Sequence, residues 1–275
     1  MSLLGAAEIR ELAEKLELRP SKGLGQNFVH DGNTCRKIVR SADVHGGDIA
    51  LEIGPGLGSL TLELLSNAAA VIAVEIDSRL AAQLPITAQS HGCDLNKLTV
   101  INRDAMEIKD LPQEPSVLVA NLPYNVSVPV LLHLFETFPS LRRGVVMVQA
   151  EVADRLVALP GGKEYGVPSA KAAWWAQMTP AGTVSRAIFW PVPNVDSKLV
   201  SFARHKPLGS EEERKKTFAI IDAAFAQRRK MLRAALSSYY GSSASAEERL
   251  KRAGIDPTLR GEALSIHDFY AIARA

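Results

Sequence analysis

The sequence predicts an α/β fold, a mostly parallel twisted sheet flanked by helices, followed by a small all-helical C-terminal domain. Three observations predict it. Short apolar runs of strand length recur at 48–53, 70–74, 97–101, 116–120 and 144–149, most of them followed by a helix. The first run turns sharply through Gly54, Gly56 and Gly58 into Ser59-Leu60-Thr61-Leu62-Glu63-Leu64-Leu65, whose apolar residues have helical spacing. Residues 211–274 read as helix almost throughout, with breaks at 239–245 and 254–257. The expected division is therefore residues 1–205 for the sheet domain and 206–275 for the helical one.

A chain of 275 residues suits one medium domain plus a smaller one, and 47% hydrophobic residues suffice for a real core. A net charge of +2 means that any affinity for nucleic acid must come from local patches. Cys35 and Cys93 are far apart in sequence and form no C-x-x-C, so structural disulfides and zinc are not expected, and a reducing cytoplasm fits. No metal site is expected. Glu8, Arg10, Glu11, Glu14 and Lys15 interrupt the apolar N-terminus, which reads as an amphipathic helix over 3–17, not a signal peptide. No apolar run is long enough to span a bilayer, no repeat is visible, and nothing suggests an obligate dimer, so a monomer is expected.

After the first helix, residues 21–31 are rich in glycine and read as a loop, with Asp31 capping a helix over 32–42. The glycine turn at 54–58 is the first sign of a ligand. Glycine bends the backbone tightly and puts no side chain between main chain and ligand, and the helix that follows aims free N–H groups at the same space. A dinucleotide fingerprint needs glycine at its sixth position, where this chain has Ser59. The pattern here is E-x-G-x-G-x-G, with Glu52 ahead of Gly54, Gly56 and Gly58. It resembles motif I of the S-adenosylmethionine-dependent methyltransferases.

The second strand ends on Glu75-Ile76-Asp77. Glu75 follows Gly58 by 17 residues, near the ~20-residue offset at which an acid accepts hydrogen bonds from ribose hydroxyls. Asp77 is expected to cap the next helix. Asp104, after the third strand, lies at the same carboxyl edge; it can cap its own loop or accept from the exocyclic amine of an adenine. The fourth strand runs into Asn121-Leu122-Pro123-Tyr124, which offers a carboxamide, a carbonyl before proline, a fixed turn and an aromatic ring at a strand's carboxyl end. Residues 159–166 read as a mobile loop beside the substrate. Prolines hold Phe189 and Trp190 in an extended segment over 188–197, either a structural corner or a base-stacking platform, ahead of a final strand at 198–203. Arg228, Arg229, Lys230 and Arg233 fall within one and a half helical turns, with Lys215, Lys216, Lys251, Arg252 and Arg260 nearby, which favours contact with RNA phosphates.

In this order, residues 22–31, 52–58, 74–77, 103–105, 121–124, 189–197 and Phe225-Ala226-Gln227-Arg228-Arg229-Lys230 resemble the ribosomal RNA adenine N6-dimethyltransferase family over nearly the whole chain, and within it the bacterial small-subunit enzymes. The resemblance implies S-adenosylmethionine as cofactor, held by Asn27, Val29, Gly54, Glu75, Asp104 and Asn121. It implies a target adenine held by residues 121–124 and braced by Phe189. Its substrate would be two adjacent adenosines near the 3′ end of 16S rRNA, within an immature small subunit, each receiving two methyl groups. Val29, where leucine is commoner, and Ala234, where asparagine is frequent, are the departures; neither touches the chemistry. The residues agree with this reading. If Asn121 Oδ1 and the Leu122 carbonyl each accept one N–H, the delocalised N6 lone pair is turned toward a methyl donor, with Tyr124 stacked on a base that has left its helix. Three other readings compete: a nicotinamide-dependent oxidoreductase, a large-subunit rRNA methylase of the antibiotic-resistance type, and a non-catalytic assembly factor. Ser59 and the absence of Tyr-x-x-x-Lys speak against the first, residues 189–197 and the basic C-terminal helices against the second, and the intact motifs against the third.

Overall fold

The computed structural model describes residues 3–18, 27–123 and 125–275. The elements follow in chain order. The first stretch carries α1 (Ala6–Lys15), β1 (Phe28–Val29), α2 (Gly32–Ser41), β2 (Ile49–Ile53), α3 (Ser59–Asn67), β3 (Ala70–Glu75), α4 (Ser78–Ser90) and β4 (Leu98–Asn102). Then come β5 (Val117–Asn121), α5 (Ser127–Thr137), β6 (Arg143–Gln149), α6 (Ala150–Val157), α7 (Val167–Ala172), β7 (Ala176–Val184), β8 (Phe189–Trp190) and β9 (Ser197–Arg204). The last stretch is helical: α8 (Glu211–Ala226), α9 (Leu232–Ala235), α10 (Ser237–Tyr240), α11 (Ser243–Arg252) and α12 (Ile266–Arg274).

The chain forms two compact units, Met1–Ala153 with Thr179–Ala203, and Asp154–Met178 with Arg204–Ala275. The main sheet has the order β4-β3-β2-β5-β6-β9-β7. β2 pairs in parallel with both β3 and β5, β3 with β4, and β5 with β6, whereas β9 runs antiparallel to β6. The chain builds outward from β2 to β4, then crosses back to β5 and builds the other way. The switch point lies between β2 and β5, where open α/β sheets bind ligands beyond the strands' carboxyl ends. β2, β3, β5 and β6 are buried on both faces, which is why they read as unbroken apolar runs, whereas β4, at the edge, is only partly covered. Asp31 and Asp77 cap α2 and α4 as expected, accepting from Thr34 N–H and Arg79 N–H.

The opposite edge of the sheet is tied by a buried carboxylate. Asp48 accepts from Ser116 Oγ at 2.6 Å, from His45 N–H at 2.8 Å and from Arg143 Nη2 at 2.6 Å. Burial alone would raise its pKa, but the Ser116 and His45 hydrogen bonds and the Arg143 cation hold it below the usual range. The ends of β2, β5 and β6 are thereby fixed to one another.

Residues 154–178, expected in the first domain, group with the C-terminal helices. The physical reason is aromatic. Trp174 meets Phe218 and Tyr270 edge-on at 6.2 and 5.4 Å, and Arg214 lies over Trp175 at 5.3 Å. Tyr165 Oη donates to the Leu264 carbonyl at 2.8 Å, and Gly161 N–H to the Glu262 carbonyl at 2.7 Å. The loop at 159–166 is therefore anchored to the helical unit, where a mobile loop was expected.

Candidate active site

The carboxyl end of β2 continues into the glycine turn. Gly54, Gly56 and Gly58 have φ of +68°, +59° and +103°, the left-handed region open to glycine at little cost. Space enforces glycine too, since a Cβ on Gly56 would sit 2.9 Å from the Phe28 ring and one on Gly58 would sit 2.8 Å from Leu84. Gly58 N–H donates to the Pro55 carbonyl and its own carbonyl takes the first bond of α3, so Gly58 closes the turn from outside the cleft.

Two carboxylates stand behind this turn. Glu75, at the end of β3, accepts from Gly56 N–H at 3.1 Å and from Asp77 N–H at 3.0 Å. Burial raises its pKa despite these hydrogen bonds. Glu52 is 1% exposed and accepts from Thr61 Oγ1 at 2.7 Å. Burial above all, with the Glu75 charge added, pushes Glu52 up to about 8. The sign follows from linkage. The unfolded group titrates near 4.5 and the folded one near 8, so folding takes up a proton in between and stability falls as pH rises through that window. Glu52→Gln can still accept from Thr61 but has no proton to lose. Its melting temperature is expected to match the parent near pH 4 and exceed it at pH 8; parallel profiles would exclude this account.

β5 delivers Asn121 beside the turn. A Cβ on Gly54 would lie 3.7 Å from the Asn121 carbonyl oxygen, which measures how closely the two strand ends approach. Asn121 Nδ2 donates to the Asn27 carbonyl at 3.2 Å, which leaves Oδ1 as the acceptor end of the amide. Leu122 N–H continues the ladder to the Met147 carbonyl at 3.0 Å, while its side chain enters the core. Asp104 Oδ1 accepts from Met106 N–H at 2.9 Å, so the carboxylate caps its loop and faces the ligand space at once. A cleft of about 230 Å³ runs from Asn27 and Val29 along Glu52, Gly54, Gly56 and Glu75 to Asp104, Asn121 and Pro123. Tyr124 lies outside the described residues.

Residues 18–275 match the family model for ribosomal RNA adenine dimethylases. The chain belongs to that family. It is 59% identical to Ribosomal RNA small subunit methyltransferase A of Leifsonia xyli, covering 99% of this chain and 98% of that protein. It is 56% identical to the protein of the same name from an Arthrobacter species, covering 100% and 93%. Among solved structures, a dimethyladenosine transferase from Plasmodium falciparum superposes with a TM-score of 0.75 at 25% identity, over 89% of this chain and 95% of that one. The 23S rRNA methyltransferase ErmE shares the fold, with a TM-score of 0.67 at 24% identity over 90% and 98%. The oxidoreductase, large-subunit and non-catalytic readings are not favoured by this set, in which the curated relatives are named small-subunit methyltransferases.

Within the family frame, two expectations change. Phe189 does not face the cleft. It is 1% exposed, because β8 pairs antiparallel with β1 in the register Val29↔Phe189 and turns the ring into the core. Of the two possibilities for residues 188–197, the structural corner is what forms here. The cations at 228–233 do not share one helix either, since only Arg233 is helical, in α9. α8 ends at Ala226, and Arg228, Arg229 and Lys230 occupy the turn before α9. Arg228 is a strut, donating to Glu262 Oε2 at 2.8 Å and to the Lys163 carbonyl at 2.6 Å, and Arg233 pairs with Glu247 at 3.3 Å. Arg229 and Lys230 are exposed and carry no ion pair among the described residues.

The sequence reading missed Ile76 and Met106, apolar side chains that line the cleft and are 54% and 41% exposed. Each sits within two residues of a predicted acid at a strand's carboxyl end, and that adjacency was the available signal. The cleft fits S-adenosylmethionine on its own evidence. A side-chain-free turn offers main chain, Glu75 lines the cleft with a carboxylate, and the exposed apolar side chains of Ile76 and Met106, next to Glu75 and Asp104 in sequence, suit the faces of a purine.

Proposed function

We propose that this enzyme transfers methyl groups from S-adenosylmethionine to N6 of two adjacent adenosines near the 3′ end of 16S rRNA, giving N6,N6-dimethyladenosine. In this reading it acts on the small subunit during assembly, as a monomer, in the cytoplasm. Among the described residues no helix is long and apolar enough to cross a membrane. The observation that carries the proposal is the junction of the Gly54–Gly58 turn with Asn121 in one cleft, the amide oxygen of Asn121 being its acceptor end.

The residues divide the work. Asn27, Val29, Gly54 and Gly56 cradle the methionyl part, Glu75 accepts from ribose hydroxyls, and Asp104 accepts from the exocyclic amine of the cofactor's adenine. Glu52 lies beneath the turn and holds its shape through Thr61. The bound cofactor supplies an electrophilic methyl group on a sulfonium. Asn121 Oδ1 and the Leu122 carbonyl accept the two N–H bonds of the target amine, drawing N6 out of conjugation so that its lone pair points at that methyl. Pro123 fixes the direction of the Leu122 carbonyl, and Tyr124 stacks on the base. No strong base is needed, because the methylated nitrogen is acidic and gives its proton to water. Orientation and fixed dipoles account for the acceleration. An adenine paired in a helix cannot reach these acceptors, so the target is unpaired or flipped. Arg229 and Lys230 meet RNA phosphates, with Arg228 and Arg233 holding the turn that presents them.

The test is transfer of labelled methyl groups to small subunits isolated from cells lacking the gene, followed by nucleoside mass spectrometry. Two dimethyladenosines per 16S rRNA are expected. Label confined to 23S rRNA, or none, would overturn the proposal.

A further inference from the structure

Three consecutive residues outside the main sheet each touch a different part of the cleft. The Asn27 carbonyl accepts from Asn121 Nδ2 at 3.2 Å, at the end of β5. The Phe28 ring packs on the glycine turn where a Gly56 Cβ would stand 2.9 Å away. The Val29 carbonyl accepts a hydrogen bond from Ser59 Oγ, the first residue of α3. Behind them, His30 N–H donates to the Ile188 carbonyl at 2.9 Å and β1 pairs with β8, so the segment is held from its far side as well.

We infer that Ser59 is a positioning residue for methyl transfer, acting through the Asn27–Val29 segment to set which way the Asn121 amide faces. The inference rests on the proposed role of Asn121. A carboxamide is nearly symmetric in shape but not in chemistry, since one end accepts and the other donates. Turned over, it would present N–H groups to the N–H groups of the substrate amine. The contact with the Asn27 carbonyl selects the productive orientation. That carbonyl is placed by the two residues after it, one seated on Gly56 and one tied to Ser59. Ser59 is 6% exposed, so its hydroxyl is spent on this tie and not on solvent. The same contacts make the cofactor turn and the amine acceptor one mechanical unit, because a shift of the turn moves Phe28 and with it Asn27.

The experiment is a double-mutant cycle on the full chain with undermethylated small subunits and labelled S-adenosylmethionine. Ser59→Ala is expected to lower kcat about tenfold, the size of one lost hydrogen bond. In the Asn121→Ala background the same change is expected to cost less than about twofold, because its effect passes through the missing amide. Affinity for S-adenosylhomocysteine by calorimetry should shift by less than about threefold, and Ser59→Thr should recover the rate by restoring a hydroxyl. Should Ser59→Ala not fold, Ser59→Cys keeps the side chain's size and exchanges the hydroxyl for a much weaker donor. Equal losses in both backgrounds, or no loss in the first, overturn the inference and leave the role of Asn121 intact. Full activity in Asn121→Ala alone would instead overturn the role on which it rests.

Discussion

Asn121→Ala is expected to lower the rate of methyl transfer about 10²–10³-fold, the size of effect seen when one preorganised hydrogen-bonding group is removed from an active site. The substitution removes Oδ1, and with it one of two acceptors that draw the lone pair out of the ring. It should leave the fold alone. Asn121 is half-buried, its side chain donates to the Asn27 carbonyl among the described residues, and its backbone stays in the ladder with Met147. The measurement is single-turnover transfer at saturating cofactor, with a melting curve for each variant. A rate within about threefold of the parent would remove Asn121 from the mechanism.

The second large effect falls on the fold. Gly144 lies in β6 opposite Leu118 of β5 and Phe202 of β9. A Cβ there would stand 2.2 Å from the Leu118 carbonyl oxygen and 2.6 Å from the Phe202 ring. The ring is locked edge-on against Phe135 at 4.8 Å, and the carbonyl belongs to the strand that carries Asn121. Neither can yield without opening the sheet. Gly144→Ala is expected to cost about 3 kcal/mol or more, at the upper end of overpacking effects, and to lower the melting temperature by roughly 6–12 °C. A shift of a degree or two would show that the sheet relaxes there more easily than its packing implies.

The parts of this molecule that were legible from sequence share one property, that local chemistry and burial point the same way. β2, β3, β5 and β6 are buried on both faces and read as apolar runs. The glycine turn is legible because its backbone admits no other residue. Asp31 and Asp77 announce their helices by side-chain caps. What was not legible depends on distant partners. β7 is largely exposed and contains Pro180 and Gly182, so it shows neither alternation nor an apolar run. β1 and β8 are two residues each and exist only by pairing with one another. Arg228, Arg229 and Lys230 have good helical propensity, yet Arg228 is drawn to Glu262 and Lys163, and the chain turns. Phe189 has the composition of a stacking platform and the register of a core residue; only the register decides.

The site was legible at its polar ends and not in its connections. Glu75, Asp104 and Asn121 stand at the carboxyl edge as the strand order demands. That Glu75 also braces Gly56, and that Asn27 orients Asn121, are facts of three-dimensional proximity across 19 and 94 residues of sequence.

A crystal structure of this chain with S-adenosylhomocysteine bears most directly on the whole account. It should find the ligand in the cleft between the glycine turn and Asn121, its ribose on Glu75 and its sulfur directed toward the Asn121 amide. Ligand density on any other surface, or a sulfur turned away from Asn121, would contradict it.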